Sequence, residues 1–112
     1  MDQIVDLEED AEFQALNVAL VNLATDPLPV LESAGEQWGV TAPLLSDSSS
    51  AVSRAYGVLR WATPSGEPSH TFVLVGVDGT VKWIQDYGAA ENGGRMYVPI
   101  EELLGEIAPR LD

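Results

Sequence analysis

The sequence contains no cysteine among its 112 residues. That excludes a disulfide, a thiolate metal site and a thiol nucleophile within these residues. Cations are scarce as well: five Lys and Arg (Arg54, Arg60, Lys82, Arg95, Arg110) stand against 18 Asp and Glu, a formal charge of −13. Such a surface repels phosphate backbones and anionic lipid, so neither nucleic acid nor a membrane surface is an expected partner. One His and two Met leave few ligands for soft metals, and no cofactor or metal site is read. No apolar run approaches the ~20 residues of a membrane span, and no basic segment precedes an apolar stretch at the start. A cytoplasmic location is the expectation from that absence. What is present is globular in composition, 46 % hydrophobic and 21 % charged. The length suits one domain over residues 1–112, since one core serves about 100–200 residues.

The chain alternates helical and strand patterns, as α/β units do. Ile4, Leu7, Ala11 and Ala15 share a helical face, which predicts a helix over 4–15 with Phe13 opposite the stripe. Acids crowd its first half, where the helix dipole favours them. Val18 to Ala24 is nearly continuous in apolar character, as in a strand covered on both faces. Asp26 is placed to cap the next helix, with Pro27 in its first position. Leu28, Leu31, Gly35 and Trp38 fall on one face of that helix, where Gly35 permits close approach to a sheet, and Gly39 suits a left-handed C-cap. Pro43 to Asp47 reads as a short strand leading into a cap, followed by a brief helix closed at Tyr56-Gly57. Residues 58–69 read as a loop, and loops of this length are often functional. Thr71–Val77 and Thr80–Tyr87 read as a hairpin joined at Asp78-Gly79. Ile100, Leu103, Leu104, Ile107 and Leu111 form an amphipathic helical stripe that Pro109 frays.

Three stretches resemble the redoxins, the peroxiredoxin (AhpC/TSA) and thioredoxin-like families. Leu45-Ser46-Asp47 followed by Ala55-Tyr56-Gly57-Val58 is similar to their "LSD…YGV" segment. His70-Thr71-Phe72-Val73-Leu74-Val75, with Asp78-Gly79-Thr80-Val81, resembles their "TFvID.dG.v" hairpin. Leu23-Ala24-Thr25-Asp26-Pro27 resembles their "iStDp" junction. The three occur in family order, and with the matching order of elements the resemblance covers roughly residues 4–108; it implies a thioredoxin-like fold from a family that reduces peroxides or exchanges thiols and disulfides.

The resemblance also implies what this chain lacks. The family's cysteine sits at the N-terminus of the helix corresponding to residues 4–15, where the dipole and an arginine favour the thiolate. Here the cysteine, its Pro-x-x-x-Thr-x-x-Cys turn and the strand before it are absent. Ser69 stands at the arginine position, and Pro68 lies one residue from the family's cis-proline position. No family catalytic residue carries over. The cysteine-bearing strand lies between the strands like Val18–Ala24 and Thr71–Val77, so its absence implies two open edges. The expectation is that these edges pair directly, or that a second copy fills the gap in an exchanged homodimer.

Trp61, Pro68, Ser69 and His70 are the candidate cleft or partner-binding loop. An exposed Trp beside Arg60 suits an anchor, and His70 suits either a proton donor or a local hydrogen bond. Trp83 alternates with Val81 as a packing residue. A nucleophilic set of Ser69, His70 and Asp86 requires convergence in space. Three functional readings follow. The first is a catalytically incomplete redoxin domain whose missing N-terminal segment carried the cysteine. The second is a non-catalytic thioredoxin-fold binding or assembly module, whose acidity favours a basic protein partner. The third, resting on clustered carboxylates alone, is a cysteine-free enzyme of other chemistry.

Overall fold

In the computed structural model, which describes residues 1–111, the acidic N-terminal segment forms two helices rather than one. α1 (Asp2–Glu9) stops at Asp10, whose backbone turns extended and whose carboxylate accepts from the Phe13 amide at 2.9 Å, capping α2 (Ala11–Ala15). The cap satisfies an N–H that a helix start otherwise leaves unpaired. This break resets the helical phase, so Phe13 turns inward and is 5 % exposed.

The apolar run that follows becomes strand only in its last three residues, β1 (Asn22–Ala24), while Val18 and Leu20 pack against the core. α3 (Leu28–Trp38) begins later than expected, because Pro27 stays extended at ψ 148° and takes the N-cap place foreseen for Asp26. Gly39 closes α3 in the left-handed conformation at φ 70°. β2 (Leu44–Ser46) runs parallel to β1, in register Asn22↔Leu44, Leu23↔Leu45 and Ala24↔Ser46. α3 lies close against this pair: a Cβ on Gly35 would stand 2.8 Å from Leu44 Cδ1. The ends of the α3 stripe outrun so small a sheet, leaving Leu28 and Trp38 exposed while Leu31 and Gly35 are buried.

Asp47 caps α4 (Ala51–Ala55) by accepting from the Val52 and Ser53 amides at 3.1 and 2.8 Å and from Ser53 Oγ at 2.7 Å. The 58–69 stretch opens with a 3₁₀ turn, Val58–Trp61, and continues as loop. The hairpin is β3 (Thr71–Val75) and β4 (Val81–Asp86), shorter than expected and bulged between Leu74 and Val75. Its connection is not the two-residue turn foreseen. Gly76 N–H donates to Thr80 C=O at 2.8 Å, enclosing three residues of which the last, Gly79, sits at φ 84°. This is the turn-plus-left-handed-residue pattern of three-residue hairpin loops. α5 (Ile100–Ile107) follows, and Pro109 converts its end to a 3₁₀ turn.

The core gathers Leu7, Phe13, Leu74, Trp83, Tyr87, Val98, Leu103 and Ile107, drawn from α1, α2, the hairpin, α5 and the segments before it. Trp83 is a packing residue, as expected. β1–β2 and β3–β4 are separate two-stranded sheets among the described residues, so β1 and β3 do not pair directly. The expected direct closure is therefore not adopted among the described residues: the hairpin packs Leu74 and Trp83 against Leu7, Phe13 and Leu103 in a sheet of its own rather than beside β1.

Candidate functional site

His70 precedes β3 and reaches the first turn of α1. Its Nε2 lies 3.1 Å from Gln3 Oε1. Gln3 Oε1 also accepts from the Val98 amide at 2.6 Å, and Gln3 Nε2 donates to Val98 C=O at 3.1 Å. The oxygen can only accept, so His70 donates from Nε2 and its neutral form carries the proton there. Gln3 is 4 % exposed, and this amide replaces water for both buried backbone groups of Val98. The His70 ring also meets Phe72 edge to face at 5.0 Å, and Phe72 meets Tyr87 at 5.8 Å. Burial pushes the His70 pKa below the usual imidazole range, against the nearby Asp86 carboxylate, which favours the charged ring.

Asp86 is buried at the end of β4 and accepts from Thr71 Oγ1 at 2.7 Å and from Ala89 N–H and Asn92 Nδ2 at 2.9 Å. Burial alone would raise its pKa; the hydrogen bonds from Asn92, Thr71 and the backbone outweigh it and hold the carboxyl below its usual value. The Ser69–His70–Asp86 set does not form. The Asp86 oxygens serve Thr71, Ala89 and Asn92, while His70 Nε2 serves Gln3, so no hydroxyl is activated. Ser69 and His70 run so close to Gly88 that a side chain there would collide with Ser69 Oγ and the His70 backbone.

Of the candidate loop residues, His70 alone joins this junction by a side-chain hydrogen bond. The exposed Arg60 stacks its guanidinium 4.2 Å over the ring of the half-buried Trp61, so the two form one unit. Pro68 and Ser69 are half-buried on the approach to β3. The sequence reading missed Gln3, Asn92 and Tyr87. Gln3 had a visible signal, a polar residue four before Leu7 on the inward face of α1.

The other notable feature is the pair of sheet edges. Asn22 N–H bonds Pro43 C=O and Ala24 C=O accepts from Asp47 N–H, so in a parallel ladder the Leu23 backbone groups point away from β2. Tyr87 N–H bonds His70 C=O, and the same alternation turns the Val73 backbone away from β4. The Leu23–Leu45 pair lies on the face turned from α3, because Leu44, the next residue, is the one against Gly35. These leucines are 42 % and 48 % exposed, and Val21 is 49 % exposed. Charge is equally uneven. No Lys or Arg precedes Arg54, whereas Asp2, Asp6, Glu8, Glu9, Asp10 and Glu12 lie in the first two helical segments and Asp26, Glu32, Glu36 and Asp47 beyond them.

Two open grooves flank the β1–β2 region, one of about 590 Å³ between α2 and residues 41–43, the other of about 440 Å³ beside Gly35. Neither is lined by Trp61, Pro68, Ser69 or His70. Among the described residues, no group of three His, Asp or Glu is arranged to hold a metal ion, and no helix is long and apolar enough to cross a membrane.

Comparison with known proteins gives one result. A model of the AhpC/TSA family matches residues 2–84, from α1 into β4. No curated protein matches the chain.

Proposed function

The chain belongs to the AhpC/TSA family, and from that premise we propose that residues 1–112 are a redoxin-like domain without an attacking atom of its own, its sheet open where a strand is to be seated between β1 and β3. The observation that carries this reading is the coincidence of two facts. There is no cysteine, and among the described residues β1 and β3, the strands that flank the cysteine-bearing strand in the resembling fold, are each paired on one side only. Peroxide reduction and disulfide exchange need a thiolate, and no other side chain here substitutes for it. His70 then stands beside the N-terminal end of α1, where the family keeps its cysteine, and it and the Trp61, Pro68 and Ser69 segment before it take a partner-facing role rather than a catalytic one. Support for that placement is the His70–Gln3 hydrogen bond.

The test is peroxide consumption by the purified chain with dithiothreitol as reductant. The expected rate equals that of buffer. Enzyme-dependent turnover that survives removal of trace metal would refute the reading. A second reading, a non-catalytic binding or assembly module, is favoured by the exposed Leu23–Leu45 face. It is compatible with the first and differs in predicting a stable complex without redox chemistry.

A further inference from the structure

We propose that the bare edge and uncovered face of the β1–β2 sheet bind an extended apolar segment of another protein flanked by lysine or arginine. This rests on the open-sheet reading above and names its partner. Parallel strands are ordinarily covered on both faces. Here α3 covers one, while Leu23, Leu45 and Val21 leave the other apolar and in water. The Leu23 N–H and C=O point outward along the free edge of the same strand. An exposed edge of this kind takes an added strand, with main-chain hydrogen bonds supplying affinity and side-chain pockets supplying selectivity.

Charge selects the occupant. α1, α2, β1, α3 and β2 all lie in the stretch before Arg54 that holds acids and no Lys or Arg. A second copy brings −13 against −13, and charge of that size keeps chains apart. A cationic strand meets the opposite field, which speeds encounter and excludes acidic competitors.

The experiment uses the full chain and two labelled peptides of about ten residues, a typical strand length. Both alternate Val and Thr; one carries Lys at its ends, the other Glu. Fluorescence anisotropy reads binding, sedimentation velocity reads self-association, and amide exchange at Val73 reads the open sheet independently of any ligand. The expected result is a monomer that binds the Lys peptide at least about tenfold tighter than the Glu peptide, with loss of affinity as salt rises. Leu23→Glu should weaken binding about tenfold although it adds negative charge, because the apolar contact is lost. Val77→Glu, in the hairpin loop and 98 % exposed, should leave binding unchanged or tighten it slightly. Equal or tighter Lys-peptide binding by Leu23→Glu would mean diffuse charge attraction and overturn the proposal. A homodimer that buries Leu23, or no binding while Val73 exchanges freely, would overturn it too and leave the open-sheet reading intact. Slow Val73 exchange in a monomer would refute the open sheet itself.

Discussion

The hairpin side of the molecule and the β1–β2 side are built from equally apolar segments, yet they are packed very differently. On the first, β3, β4, α1, α2 and α5 close around Leu103 and Val98, both fully buried. On the second, β1, β2, α3 and α4 leave Leu23, Leu45, Val30 and Trp38 between 42 % and 52 % exposed. The difference teaches that apolar content does not by itself make a core. A two-stranded parallel pair with one helix has only one covered face, and parallel sheets need two. Charge cuts across this division: all five cations lie from Arg54 onward, so β1, β2 and α3 on the open side and α1 and α2 on the closed side carry none, while Arg95 forms a bidentate pair with Glu102 at 2.9 Å.

Substitutions that probe the comparison should differ most where packing differs most. Leu103→Ala on the closed side should destabilise by about 3–5 kcal/mol, the usual range for emptying a tight apolar site. Leu45→Ala on the open side should cost about 1 kcal/mol or less. Chemical denaturation of both variants reads the contrast, and equal losses would break it. Next in size is Gln3→Ala, which strands the buried Val98 N–H and C=O; roughly 2–3 kcal/mol is expected from unpaired buried polar groups. Gln3→Glu keeps the acceptor for Val98 N–H but loses the donor to its C=O, and should recover part of that loss.

Smaller still is the tie between the two sides. The Glu8 carboxylate of α1 accepts from the Thr41 and Ala42 amides at 3.1 Å and from Thr41 Oγ1. Glu8→Ala should speed exchange of those two amides while leaving the β3–β4 amides protected. The smallest effect concerns pH. His70 has a lowered folded pKa, so the unfolded chain binds its proton more readily. Its contribution is therefore fully present above the unfolded value, about 6.5, and is lost as pH falls through the folded one. The groups that bias it are Asp86, the N-terminal amine and Asp2. Against His70→Asn, the native chain should lose relative stability between pH 7 and 5.

Much of this was legible in the amino-acid pattern. The hairpin, α5, a cap at Ser46 or Asp47 (taken by Asp47), the left-handed Gly39 and the close approach at Gly35 all follow from local chemistry and periodicity. The resemblance to redoxins rests on the "iStDp", "LSD…YGV" and hairpin stretches, all within the matched residues 2–84. What escaped depended on context. Asp10 is one acid among many, and only its capping of Phe13 N–H shows that the first helix breaks there. Asp26 and Pro27 compete for one capping place, and the extended Pro27 backbone decides it. The Ser69–His70–Asp86 set required a convergence in space that the sequence alone does not show. The His70 Nε2 and the Asp86 carboxylate are committed instead to Gln3, far away in the chain, and to Thr71, Ala89 and Asn92.

The central claim is that β1 and β3 present open edges in a cysteine-free redoxin-like domain. Residue-resolved hydrogen exchange of the monomeric chain tests it most directly. The account predicts that the Leu23 and Val73 amides exchange quickly while those of Phe72 and Leu74, bonded within the hairpin, stay protected. Protection at Leu23 and Val73 equal to that of their neighbours, in a species shown to be monomeric, would contradict it.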